Sequence, residues 1–252
     1  MDASLFNLSL GSWCLAILCG VLVGFNKTGM PGTAIFAVPL MAMIFPAGKS
    51  TGIYLPMLIV GDVFTLLYYR RHAQWRYVLR LLCWGAAGIL LGFWVIQHYQ
   101  MTDLHLQRLI GAIVLVILGI GLWMSRCPNA LIVPHTWWFV ACMGLIGGFT
   151  TMTANAAGPI WIVYLLAMNL NKHEFLGTSG WIYFILNLFK VPFSCALGFI
   201  SAESLIFNIK LVPAVALGAG LGILTLNRIP QKAFDTIIRI LTALAALKLL
   251  FG

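Results

Sequence analysis

The sequence predicts an all-α integral membrane protein. Its residues are 62% hydrophobic and only 8% charged, its mean hydropathy is +0.99, and nearly all of its 252 residues fall into apolar runs. Soluble domains carry about 25% charged residues, whereas a helix crossing roughly 30 Å of hydrocarbon needs about 20 mostly apolar ones. No stretch is left for a soluble domain, so residues 1–252 read as one transmembrane domain. Met1 to Ser12 lacks the basic region of a cleavable signal peptide, and the first helix itself is expected to direct insertion.

Hydrophobic runs place segments at about 11–25, 31–46, 51–69, 77–97 and 104–124, then at about 136–149, 157–169, 175–198, 204–225 and 233–251. The rhythm repeats. Gly24-Phe25 returns as Gly148-Phe149, Asp62-x-Phe64 as Asn187-x-Phe189, and Gly88-xxx-Gly92 as Gly218-xxx-Gly222, with an offset that grows slowly as loop insertions would make it. Matches in the same order predict an internal duplication, residues 1–126 and 134–252, with about five segments in each repeat and 8–10 in all. The glycine pairs read as close helix packing.

The net charge of +9 sits in short loops, where it reports topology and not a nucleic-acid partner. Arg70, Arg71 and Arg76 in "YRRHAQWR" mark a cytoplasmic turn, whereas the matching loop of the second half, "GFISAES", has only Glu203. "HYQMTDLH" carries Asp103, and its counterpart "NRIPQK" carries Arg228 and Lys232. The halves are therefore expected to be inverted, with both termini on the periplasmic side. Trp75, Trp137 and Trp138 stand at span ends as interfacial anchors.

In such a duplication the first two segments of each half are short and joined by a helix-breaking stretch, "NKTGMPG" and "TTMTANAAGP". The second has no charge and is built of small residues and hydroxyls, unlike a surface turn. Non-helical backbone is tolerated at depth where it lines a polar cavity, and paired broken segments point to a transport site. The helix starting after each break, near Met30-Pro31-Gly32 and Ala157-Gly158-Pro159, brings unpaired N–H groups that attract anions. Asn26, Thr28, Gly29 and Gly32, and Thr150, Thr151, Thr153, Asn155 and Gly158, would supply hydrogen bonds or close backbone approach. Lys27 would supply charge, against the alternative that it snorkels to the interface.

Two further charges fall inside apolar runs, Asp62 in "IVGDVFTLLYY" and Lys190 in "ILNLFKVPFSCALG". A charge at the centre of a span costs roughly 2.5 to 3.5 kcal/mol, so each needs a partner or water. Asp62 is the repeat mate of Asn187, and Thr65 the mate of Lys190. Two readings stand side by side: an Asp62–Lys190 ion pair tying the halves together, or Asn187 and Lys190 as anion ligands with Asp62 as ion-pair partner or proton carrier.

Other chemistry is weakly represented. Cys14, Cys19, Cys83, Cys142 and Cys195 lie in apolar runs with Cys127 in a loop, which is no disulfide or metal pattern and predicts buried packing residues. His72, His98, His105, His135 and His173 lie at span ends or in loops, so neither a metal nor another cofactor is expected. With Lys27, Asp62 and Lys190 as the ionisable groups at depth, an intramembrane enzyme lacks an acid/base pair. An assembly or maturation factor and an anion channel remain as alternatives to a carrier.

"GVLVGFNKTGMPGTAIFAVPLMAMIFP", the "YYRRHAQWR" turn, and a second copy opening "GLIGGFTTMTANAAGPIWIVYLL" together resemble the TauE/SafE family of membrane transporters, also described as sulfite exporters. The resemblance covers almost the whole chain. It includes Val38-Pro39-Leu40 after the first break, and Arg70, Arg71 and Trp75 in the turn. It implies export of sulfite or a small organosulfonate such as sulfoacetate across the bacterial inner membrane, with a small anion and the bilayer as partners and a homodimer left open. "NLFKVP" is similar to an Asn-x-x-Lys-x-Pro pattern in part of that family, which adds weight to Asn187 and Lys190. The glycine triplet of many members here reads Met30-Pro31-Gly32 and Ala156-Ala157-Gly158.

Overall fold

The computed structural model describes residues 8–31, 33, 37–45, 47–99, 136–155, 157–226, 228, 230, 233, 236–237 and 240. Its described elements are helical: α1 (Leu10–Thr28), α2 (Ala37–Ile44), α3 (Ala47–Tyr69) with a 3-10 turn (Arg70–His72), α4 (Trp75–Tyr99), α5 (Trp137–Ala154), α6 (Gly158–Ala167), α7 (Lys172–Ala196) and α8 (Ala202–Leu226). The segment expected at 104–124, and most of the one at 233–251, lie outside the described residues. Four described spans are long and apolar enough to cross a membrane: Leu10–Thr28, Ser50–His72, Trp75–His98 and Ala202–Leu226.

Local chemistry explains where the helices stop. The Ser9 side chain caps α1 by accepting from the Ser12 amide at 3.2 Å. The helix runs three residues past its expected end, so Lys27 is helical, and closes at Gly29, whose N–H bonds the Phe25 carbonyl at 2.9 Å. Asn155 ends α5 in the left-handed region, φ 54°, where asparagine is better tolerated than most residues. Pro159 lies in the first turn of α6, where its missing N–H costs nothing. Asn171 and Glu174 form a reciprocal capping box on α7. At 1.5 Å per residue, the 8 residues of α2 and 10 of α6 reach about 12 and 15 Å, roughly half of a bilayer core.

Two helix pairs pack backbone to backbone. On α1 and α8, Gly24 faces the Val215 carbonyl and Gly218 faces the Val21 carbonyl, each leaving no room for a Cβ. On α4 and α5, Gly148 faces the Gly85 carbonyl and Gly88 faces the Leu145 carbonyl in the same manner. These are the glycines singled out by spacing, and small residues are what such close approach requires. Between the pairs, α3 and α7 cross centrally, Gly177 lying against the Tyr69 carbonyl and Gly52 against that of Phe199. The apolar window of the α3 span is 61% buried against 28% for that of α4, which makes α3 an inner helix and α4 an outer one. Leu79, Leu90 and Leu91 of α4 and Leu217, Leu221 and Leu224 of α8 are exposed, as lipid-facing side chains are.

One apolar core joins α1, α2, α3 and α8 around Val23, Met41 and Phe207, and another joins α4–α7 around Trp161, Tyr164 and Phe175. The expected burial of the cysteines is corrected: Cys19 is buried, but Cys14, Cys83, Cys142 and Cys195 are exposed. A thiol is apolar enough to face lipid, so an apolar run does not separate core from lipid surface.

Candidate functional site

The buried charges meet where α1, α3, α5 and α7 come together. On α3, Leu58, Asp62, Thr65 and Tyr69 recur at helical spacing on one buried face; on α7, Asn187, Lys190 and Ser194 do the same. Asp62 lies near the middle of the 50–72 span and is fully buried. Its Oδ1 is 2.6 Å from Lys27 Nζ, and Asn187 donates to its Oδ2 at 2.8 Å. The Lys27 ammonium also sits 4.0 Å from the Tyr183 ring centroid, a cation–π contact. Gly61 lies against the Lys27 stem, which a Cβ there would crowd.

Lys190 stands differently. Its Nζ donates to the Thr151 carbonyl at 2.9 Å, to Thr151 Oγ1 at 3.2 Å and to Asn155 Oδ1. All three acceptors are neutral, and among the described residues no carboxylate lies within ion-pair distance of it. The Asp62–Lys190 pair entertained from sequence is thus replaced by Lys27–Asp62. Asn155 completes its amide by donating to the Thr51 carbonyl at 3.1 Å, tying the end of α5 to α3.

The remaining candidates divide. Thr28 Oγ1 donates to the Ala219 carbonyl at 2.7 Å and Gly29 packs on Gly222, so both face α8. Asn26 is half-buried on α1. Thr153 and Thr150 are buried and donate to carbonyls of their own helix, those of Thr150 and Gly147. Gly158 opens α6, and its carbonyl accepts from the Tyr183 hydroxyl at 3.5 Å. Gly32 lies outside the described residues.

Three side chains beside these were not singled out as ligands. Thr65 Oγ1 donates to the Lys27 carbonyl at 2.9 Å and holds the end of α1 against α3. Tyr183 stands one turn before Asn187 on the same face of α7, a spacing that the sequence displays. Trp161, fully buried in the first turn of α6, stacks obliquely on Tyr183 at 5.0 Å, and its indole N–H has no partner among the described residues. Among the described residues no group of three or more His, Cys, Asp or Glu could hold a metal.

An apolar helical bundle that buries ionisable side chains between its helices is the architecture of a multi-pass membrane protein with a polar interior. The chain matches the family described as Sulfite exporter TauE/SafE over residues 16–249 and belongs to that family. It is accordingly a multi-pass membrane transporter with a small anionic substrate, and not an enzyme. Comparison with curated proteins and with solved structures gives no match.

Proposed function

We propose that this transporter carries a small sulfur oxyanion or organosulfonate, of the sulfite or sulfoacetate kind, through a site centred on Lys190. One observation carries the reading: Lys190 is buried and, among the described residues, held by neutral acceptors alone. Removing an ammonium from water costs several kcal/mol, and a counter-anion is the usual means of offsetting it. Counting Lys27, Asp62 and Lys190 in their ordinary charged forms, the centre carries one net positive charge. A bound anion would neutralise it, accepting from Lys190, from the Asn155 and Asn187 amides and from the free N–H groups that open α6.

Alternating access around this centre accounts best for the matched seams. Gly24, Val21, Val215 and Gly218 contact one another as Gly148, Leu145, Gly85 and Gly88 do, and Thr65 bonds the Lys27 carbonyl as Lys190 bonds that of Thr151. Such correspondence supports two repeats inverted in the membrane, with α1–α4 the counterparts of α5–α8 and the Asp62–Asn187 hydrogen bond joining them. The basic turn at Arg70 and Arg71 then faces the cytoplasm, the termini face the periplasm, and the membrane is the bacterial inner membrane. An inside-negative potential supplies roughly 2.3 kcal/mol per charge per 100 mV, enough to drive anion export without another energy source. All these ligands come from one chain, so a homodimer would carry two complete sites.

The test is uptake of labelled sulfite and sulfoacetate into proteoliposomes under an inside-positive potential. Saturable uptake that Lys190→Gln abolishes, with the variant still folded, is the expected result. Wild-type rates in Lys190→Gln would overturn the site.

A further inference from the structure

The two buried lysines flanking the centre differ in one chemical respect. Lys27 has a carboxylate against it, Asp62, whereas beside Lys190 the residue matching Asp62 is the amide of Asn187. Asp62 thus does for Lys27 what a substrate anion would do for Lys190. The titratable groups facing it are Lys27 from α1 and Tyr183 and Lys190 from α7. The described residues of α2 carry none, the 3-10 turn places Arg70, Arg71 and His72 at its exposed end, and Glu203 and Lys210 of α8 are exposed.

The charge count then decides how the centre treats ligands of different charge. A monoanion brings it from one net positive charge to zero with Asp62 ionised. A dianion leaves one negative charge in excess, inside a centre whose groups are almost entirely withdrawn from water. Such an excess is costly at low dielectric, and the carboxylate is the group that can remove it by taking a proton. When Asp62 does so, Lys27 loses its ionised partner and becomes a second cation available to the dianion, while Asn187 retains an oxygen of Asp62 as acceptor.

We propose that Asp62 is a proton-binding site filled when a dianion is bound, so that a dianionic sulfonate crosses with one proton and a monoanionic sulfonate crosses with none. The proton comes from the compartment that supplies the anion and leaves Asp62 on the other side as the anion departs and the Lys27 pair re-forms. Net charge moved is then one negative unit for either substrate. The inference rests on the anion site proposed above.

Titration calorimetry of the purified protein, run at about pH 6 in two buffers of different ionisation enthalpy so that both lysines start protonated, reads protons taken up per anion bound. The probes are ethanesulfonate, with one charge, and sulfoacetate, with two. The expected uptake is close to one proton for sulfoacetate and close to none for ethanesulfonate. In the double variant Lys27→Met/Asp62→Asn, which keeps the net charge, ethanesulfonate should bind as in wild type, and sulfoacetate, deprived of Lys27, should bind more weakly and with no uptake. Equal uptake for both anions, or uptake retained in the double variant, overturns the proposal. Loss of ethanesulfonate binding in that variant also overturns it, by making the pair part of the monoanion's ligand shell. Failure of wild type to bind either anion removes the anion site itself.

Discussion

Breaking the Lys27–Asp62 pair from one side should cost far more than removing it whole. Both side chains are buried, Asp62 completely, and the contact is 2.6 Å. In Lys27→Met the methionine fills the same stem volume against Gly61 and Tyr183, but an ionised Asp62 is left with the Asn187 amide alone. Removing one partner of a buried pair costs about 3 to 5 kcal/mol, whereas replacing both is often neutral or stabilising by about 1 to 4 kcal/mol. Asp62→Asn alone strands the Lys27 ammonium at comparable cost. In the double variant the new amide at position 62 can still accept from Asn187, so stability should return to near wild type. The resulting coupling is about 6 to 10 kcal/mol, the sum of the two single costs, well above the additivity error of about 0.5 kcal/mol for independent sites. Denaturant unfolding in mild detergent, followed by tryptophan fluorescence, measures all four proteins. A double variant destabilised by the sum of the singles would refute the pair as a closed electrostatic unit and place each charge with separate partners.

Other outcomes follow from the same contacts. Gly148→Val should prevent α4 and α5 from closing, because the side chain would enter the Gly85 carbonyl; loss of monodisperse protein in size-exclusion chromatography checks it. Asn155→Gly keeps the left-handed cap but deletes an acceptor of Lys190 and the bond to the Thr51 carbonyl, so a transport KM raised several-fold together with a melting temperature lowered by a few degrees is expected. Glu174→Gln retains a side chain able to complete the capping box and should shift stability by less than about 1 kcal/mol, while Asn171→Ala should cost roughly 1 kcal/mol in the same unfolding assay.

Much of the fold was legible because hydrocarbon imposes length and apolarity on each span. The glycine matches found by spacing are the residues that face carbonyls in the α1–α8 and α4–α5 seams. What the sequence did not yield is the partner of Asp62. Periodicity places Asp62, Thr65 and Tyr69 on one face of α3, but says nothing of which neighbouring helix reaches that face at that depth. Lys27 reaches it because α1 continues through Asn26-Lys27-Thr28 before Gly29 closes it, a matter of three residues and within the ordinary uncertainty of a helix end. The outward cysteines were misread for a related reason, since lipid and protein core reward the same apolar side chain. Trp161 left no signal at all, because an unpartnered indole N–H follows from packing and not from pattern.

The pairing of α1 with α8, and of α4 with α5, also bears on how the chain is made. Gly24 leaves the ribosome roughly 190 residues before Gly218, a delay on the order of ten to forty seconds at 5–20 residues per second. During that interval α1 stands in the bilayer with its glycine seam open and Lys27 dependent on α3 alone for company. A nascent chain arrested after the first half would expose that seam to whatever membrane chaperone or protease patrols the insertion site, which makes completion of α8 the step that commits the protein to survival.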